Sequence, residues 1–176
     1  AFFTSLTLIT TTGFTNLNYE NWNINYKTFI LGLMFLGGMA GSTAGGLKTI
    51  RVIALLKSVR NEIRKIFYPN AIFKIRMSKS ILPEKMIESV QTFFILYVAI
   101  FVLGTFAISI SSNYHGTPLS FEATMSAVAS AINNIGPGLG EIGPVKNYFF
   151  MDSITKTLLS LLMIIGRLEI FPIAIL

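Results

Sequence analysis

Residues 89–114, from Ser89 through Tyr114, carry no charged side chain. At ~1.5 Å of rise per residue this stretch makes a helix of about 39 Å, longer than the ~30 Å hydrocarbon core of a bilayer. Lipid, not water, is the solvent such a segment fits. Composition agrees: 52% of the 176 residues are hydrophobic and only 12% are charged, against about 25% in ordinary soluble domains. The mean hydropathy is +0.65. These values exclude a disordered tail and disfavour a soluble enzyme domain. Cysteine is absent, which excludes a disulfide framework, a thiolate metal site and a cysteine nucleophile, and leaves the redox compartment open.

The net charge of +6 is regional. Residues 48–85 hold Lys48, Arg51, Lys57, Arg60, Arg64, Lys65, Lys74, Arg76, Lys79 and Lys85 against Glu62 and Glu84, so the rest of the chain is net acidic. A basic loop between apolar blocks lies on the cytoplasmic side by the positive-inside rule. With few interleaved aromatics and membrane segments on both flanks, it does not read as a nucleic-acid surface. The chain begins at Ala1 and stops at Leu176 inside apolar stretches, with no signal-peptide pattern. It reads as an excerpt of a longer membrane protein.

Residues 28–47 are uncharged and just long enough to cross, but Gly32, Gly37, Gly38, Gly41, Gly45 and Gly46 fall within them. The 37–46 half is poor helix material. Non-helical backbone at membrane depth survives only inside protein or beside water, so the segment predicts a broken helix lining a cavity. Helix should resume near Lys48 and end near Phe67, before Pro69. Residues 89–114 form an outward span and 153–176 an inward one. The stretches 1–12 and 121–135 are too short to cross and end in glycine turns, the pattern of re-entrant helices. Residues 71–77 alternate weakly and predict a short cytoplasmic hairpin.

An internal repeat organises these segments. Lys27-Thr28-Phe29 through Gly37-Gly38 aligns with Lys156-Thr157-Leu158 through Gly166-Arg167, with Lys, Thr, Leu, Met and Gly matched. Upstream, Gly13 falls on Gly136. The unit is a short re-entrant helix, a glycine turn and a spanning helix, and the second copy adds a leading span at 86–112. The fold class is therefore an all-α membrane protein of span–pore–span repeats, as in P-loop cation channels. Two of an expected four repeats are present, with re-entrant pore helices and a broken gate helix. Residues 1–70 hold one pore loop and the broken helix, and residues 71–176 hold the linker and a complete repeat.

The first turn is Thr11-Thr12-Gly13-Phe14 and the second Asn134-Ile135-Gly136-Pro137. Potassium filters replace the hydration shell with carbonyls of extended loops, and glycine admits the dihedrals this needs. The alternative for either turn alone is an ordinary helix C-terminal glycine; the pair in equivalent places favours a filter. Ser120 is placed to cap the second pore helix, with Glu122 in its first turn. Glu20, Glu141 and Asp152 fall on the outer side, either as a cation-gathering mouth or as solvated surface. His115 reads as a solvated loop residue. Gly41 to Thr49 fails the phosphate-loop pattern because Leu47 stands where lysine is required. Arg167 lies about 16 Å along its helix from Lys156, at mid-membrane depth. Two roles fit it: holding carbonyls of the 37–46 loop as a gate, or pairing structurally with an acid.

At these residues the chain closely resembles the Trk/Ktr/HKT superfamily of potassium transporters, most strongly the membrane pore subunit of bacterial Trk systems. Thr11-Thr12-Gly13-Phe14 and Asn133 through Gly140 carry the likeness, together with Gly37 through Lys48 and Gly166-Arg167-Leu168-Glu169-Ile170-Phe171. The resemblance implies four repeats around one pore, in chains that form homodimers, with residues 1–70 as the third pore loop and its broken helix and residues 71–176 as the linker and the fourth repeat. It implies potassium at Thr11, Thr12, Gly13, Phe14, Asn134, Ile135, Gly136 and Pro137. It implies a gate of Gly37, Gly38, Gly41, Ser42, Thr43, Gly45, Gly46, Lys48 and Arg167. It also implies a cytoplasmic nucleotide-binding regulatory ring docked at 48–85, a multi-pass place in the cell (inner or plasma) membrane among its lipids, no cofactor and no covalent chemistry. The expected function is potassium uptake. A potassium/sodium-permeable channel or symporter of the same superfamily is the alternative, followed by a non-conducting scaffold. An intramembrane enzyme would need a nucleophile–base pair or metal ligands at membrane depth, and the lone histidine lies in an outer loop.

Overall fold

The computed structural model describes residues 2–39, 41–42, 45–68, 75–77 and 80–168. Six helices carry the fold: α1 Phe2–Ile9, α2 Ile24–Met34, α3 Thr49–Phe67, α4 Glu84–Tyr114, α5 Phe121–Asn133 and α6 Ser153–Arg167. Short 3-10 turns follow α1 and α5, at Tyr19–Asn21 and Gly140–Ile142. Two-residue strands β1 Leu36–Gly37 and β2 Leu47–Lys48 pair in parallel, and β3 Arg76–Met77 pairs antiparallel with β4 Ser80–Ile81. The fold is thus mostly helical, with strand pairs too short to form a layer.

Helix boundaries follow local chemistry. Ser120 caps α5 by accepting from the Ala123 N–H, and Glu122 lies in the first turn beside the positive helix end. Asp152 caps α6 through the N–H groups of Ile154 and Thr155 at 2.9 and 3.1 Å. Pro83 precedes α4 with φ −67°, the value its ring imposes.

The apolar run 28–47 is not one span. Helix α2 begins earlier, at Ile24, and stops at Met34. Its 11 residues cover about 16 Å, half of a bilayer core. The Gly37-Gly38 pair that follows disfavours helix by about 1 kcal/mol per glycine. Helix resumes at Thr49 as α3. The predicted hairpin lies further along than 71–77: the paired residues are 76–77 and 80–81, while 71–74 lie outside the described residues. Helix α6 covers 153–167 of the expected 153–176 span, and 169–176 lie outside the described residues.

Helix α5 sits at the centre. From Ala123 to Asn133 all but Met125 are buried. It is built of Ala, Ser and Thr with few large side chains, which lets α4, α6 and α2 approach on several sides. Gly104 of α4 makes room for Leu162 of α6 and Val128 of α5. One apolar cluster joins α4, α5 and α6 through Phe93, Ile108, Val128, Ile132, Leu159 and Leu162. A second joins α1, α2 and α5 through Leu8, Ile30, Met34 and Ala129, with Tyr19 and Ile135 from the connecting turns. The other face of α4 presents Phe94, Ile95, Val98, Val102, Leu103, Phe106 and Ile110 outward. Among the described residues α4 is the one helix long and apolar enough to cross a membrane.

Candidate functional site

The two glycine turns repeat at the level of single hydrogen bonds. After α1, the Thr11 N–H donates to the Leu8 carbonyl and the Thr12 N–H to the Thr7 carbonyl, at 3.1 and 2.9 Å. After α5, Asn134 donates to Ala131 and Ile135 to Ser130, at 3.1 and 2.9 Å. Each bond in the second turn is the first shifted by the same offset that carries Gly13 onto Gly136. Backbone conformation repeats too: Thr11 and Asn134 are left-handed at φ 53° and 55°, and the glycines two residues on have φ 76° and 113°. The left-handed helix cap is therefore Thr11 or Asn134, not the glycine. These bonds are the Schellman end of a helix, and Gly13 and Gly136 stand two residues beyond its left-handed residue, at positive φ themselves.

The turns meet. A side chain on Gly13 would overlap the Ile135 carbonyl and press on Pro137. Polar groups fix the second turn from behind: the Gly136 N–H donates to Ser130 Oγ at 2.9 Å, and the Leu139 N–H to Ser126 Oγ at 2.9 Å. The Tyr19 hydroxyl donates to the Gly138 carbonyl at 3.0 Å, and the Tyr148 hydroxyl to the Gly136 carbonyl at 2.8 Å. Burial pushes the Tyr148 phenol up to about 12, against the opposing hydrogen bond with Ser130. Gly136 opens onto a cavity of about 270 Å³ lined also by Ser130, Tyr148, Lys156, Leu159 and Ser160. Phe14 and Thr12 are exposed, and Thr11 and Pro137 partly so.

The 38–46 loop leaves and returns through the β1–β2 pair, with Leu36 opposite Leu47 and Gly37 opposite Lys48. Thr49 ties its ends: its N–H donates to the Gly38 carbonyl at 3.1 Å and its hydroxyl to the Gly37 carbonyl at 2.8 Å. Gly37 packs on the Gly45 carbonyl, and Gly45 and Gly46 pack on Asn133 at the end of α5. Gly41 and Gly46 hold φ 85° and 78°. Gly41 and Ser42 are exposed, Lys48 half-buried; Thr43 lies outside the described residues. Arg167 ends α6 with an exposed side chain, next to Gly166, which packs on the Ile132 carbonyl. The loop, the end of α6 and the end of α5 thus converge on Ile132–Asn133, one residue before the second turn.

The outer acids are engaged locally. Glu20, with its side chain 15% exposed, pairs with Lys27 at 3.1 Å and accepts the Gly140 N–H at 2.8 Å, linking the two repeats. Lys27 also lies 3.7 Å from Glu122. Glu141 accepts the Ser120 hydroxyl at 2.7 Å. Burial pushes its carboxyl up, but the Ser120 hydroxyl and N–H, its own N–H and Lys146 together bring it below its ordinary value. Asp152 is lowered by the Thr155 hydroxyl first, against desolvation, and then by the Thr155 N–H, His115 and the Ile154 N–H. His115 stands 3.7 Å from Asp152, so it is an outer-loop partner of that cap as well as a surface residue. Asn133, Tyr97, Tyr148 and Ser130 were not among the sequence-derived site residues. A tyrosine inside an uncharged span and an asparagine ending a buried helix were the signals available.

The family model described as TrkH, cation transport protein, matches residues 1–176. The chain belongs to the TrkH family. It is a family of transporters and not of enzymes, which makes this a membrane protein. The Trk system potassium uptake protein TrkH of Escherichia coli K12 is 35% identical over 176 residues, covering all of this chain and 35% of that protein. TrkG of the same organism is 31% identical over the same span. The crystal structure of the potassium transporter TrkH from Vibrio parahaemolyticus superposes with a TM-score of 0.87 at 32% identity, covering 98% of this chain and 35% of that one. The chain spans about a third of the length of the relatives it matches.

Proposed function

We propose that this chain is part of a potassium uptake pore, with the 11–14 and 134–137 turns as two of its filter loops. The observation that carries the reading is that the two repeat-equivalent turns meet, with Gly13 packed against the Ile135 carbonyl and Pro137. Strained carbonyl-bearing loops held rigidly from behind are what replacement of a hydration shell requires. Helix α5 directs its C-terminal partial negative charge at the same place.

In this reading the 38–46 loop is the gate. It is rich in glycine, its ends are joined by the β1–β2 pair, and Gly45 and Gly46 dock under the second turn, where a small displacement opens or closes a pathway. Arg167, beside that convergence, holds loop carbonyls in the closed state. The chain is multi-pass in the cell's inner or plasma membrane, with 48–85 in the cytoplasm facing a nucleotide-binding regulatory ring, and the parent protein is a homodimer. A symporter or potassium/sodium-permeable pore of the same superfamily would use the same turns.

The test is potassium flux in liposomes carrying the full-length parent protein, with and without Gly136→Asp. Potassium flux that the carboxylate abolishes is expected. Undiminished flux in the inserted variant would remove the second turn from the pathway.

A further inference from the structure

Asn133 ends α5, and its side chain is fully buried. Its Oδ1 accepts the Tyr97 hydroxyl of α4 at 2.9 Å, and its Nδ2 donates to the Ala129 carbonyl at 2.7 Å. The same Oδ1 lies where a side chain on Gly46 would be, and the Asn133 carbonyl where a side chain on Gly45 would be. The next residue, Asn134, is the left-handed cap from which the second turn departs, and its Nδ2 reaches the Met163 carbonyl of α6 at 3.2 Å. One buried amide therefore contacts α4 and the glycine loop while standing one peptide bond from the turn.

Packing alone does not call for an amide here, since leucine has similar bulk. A buried hydroxyl and a buried amide without water have few alternative partners, so they hold each other in one orientation. That orientation sets the floor on which Gly45 and Gly46 rest. If Asn133 turned about its side-chain bonds, Oδ1 would press on Gly46 or withdraw from it. If the backbone at 133–134 shifted with the turn, both loop glycines would lose their seat. Coupling between sites needs a contiguous element whose arrangement both sites bias, and the Tyr97–Asn133 pair touches the loop glycines and adjoins the turn.

We propose that the Tyr97–Asn133 pair is a positioning element that couples ion occupancy at the 134–137 turn to the placement of the 38–46 loop. The proposal rests on the filter and gate reading above and adds a direction of information: the ion in the turn is felt by the loop. Coupling is reciprocal, so the loop's placement changes ion affinity by the same factor.

The test uses the full-length parent protein in liposomes with Met39→Cys. Met39 is exposed in the loop and this chain has no cysteine of its own. Maleimide labelling above the unsubstituted protein is timed in potassium and in sodium, and potassium flux is read in the same vesicles. The expected rates differ at least about threefold between the two salts. Tyr97→Phe, which keeps the ring and removes only the hydroxyl, is expected to erase the ion dependence. Asn133→Ala serves the same purpose if Tyr97→Phe inserts poorly. A merely structural role would change labelling equally in both salts and keep the ratio, and that result overturns the proposal. Equal labelling in the two salts by conducting Met39→Cys protein overturns it as well. Absence of potassium flux in the unsubstituted parent would instead overturn the filter reading on which it stands.

Discussion

Gly13 and Gly136 occupy equivalent places but are constrained differently. Gly13 combines a left-handed φ of 76° with direct contact to the Ile135 carbonyl, whereas Gly136 has φ 113° and no neighbour near the position of an added methyl. Gly13→Ala is therefore expected to lower the thermal midpoint of the detergent-solubilised parent more than Gly136→Ala does. Equal midpoints would contradict the turn-to-turn contact. The carboxylates Glu141 and Asp152 give a second prediction. Both are held below their ordinary values, so their stabilisation is complete above about pH 5 and is lost as pH falls through the folded values. Acid lowers the melting temperature of the unsubstituted protein over that window, and Glu141→Gln with Asp152→Asn should flatten the decline. An unchanged acid limb would show that these contacts do not stabilise the fold. The caps of α5 and α6 are local, and Ser120-x-Glu122 announced the first in sequence. The bond from the Gly140 N–H to Glu20 and the pairing of His115 with Asp152 join residues far apart along the chain, and no local pattern reveals them.

At the scale of elements, the interrupted helix is the informative unit. Apolar content alone made 28–47 look long enough to span, and glycine content said that it would break. The break could be placed only with the β1–β2 pair in view, because parallel pairing of Leu36 with Leu47 turns the intervening residues into a loop with joined ends. That loop predicts its own mutational behaviour. Deleting residues 41–44 while keeping both strands should raise potassium flux severalfold in liposomes, since the proposed obstruction is shortened and its docking at Gly45 and Gly46 remains. Unchanged flux in correctly inserted protein would remove the loop from the gating role. Ser120→Ala should cost about 1 kcal/mol of stability through the lost cap, visible as a lower thermal midpoint. An unaltered midpoint would mean that packing alone fixes the start of α5.

Across the whole chain, two features were legible without coordinates: the uncharged span now seen as α4, and the repeat that maps Gly13 onto Gly136. Both depend on spacing and composition, which sequence displays directly. The convergence of α5, α6 and the loop on Ile132–Asn133 was not legible. It arises from three segments well separated in sequence, and small residues there leave no apolar signature. Tyr97 illustrates the difficulty, because its partner stands 36 residues away, at the end of a helix of small residues. The centre of the fold is a polar-bonded, small-residue helix, where a soluble domain would bury large side chains. Flanking apolar faces are left for lipid or for other parts of the parent protein.

The central claim is that both turns belong to one filter. The direct measurement is the potassium-to-sodium flux ratio of the full-length parent in liposomes, taken for the unsubstituted protein, Gly13→Ala and Gly136→Ala in one preparation. Each substitution, on its own, is predicted to lower the ratio. A ratio unchanged by both, in inserted and conducting protein, would contradict the account.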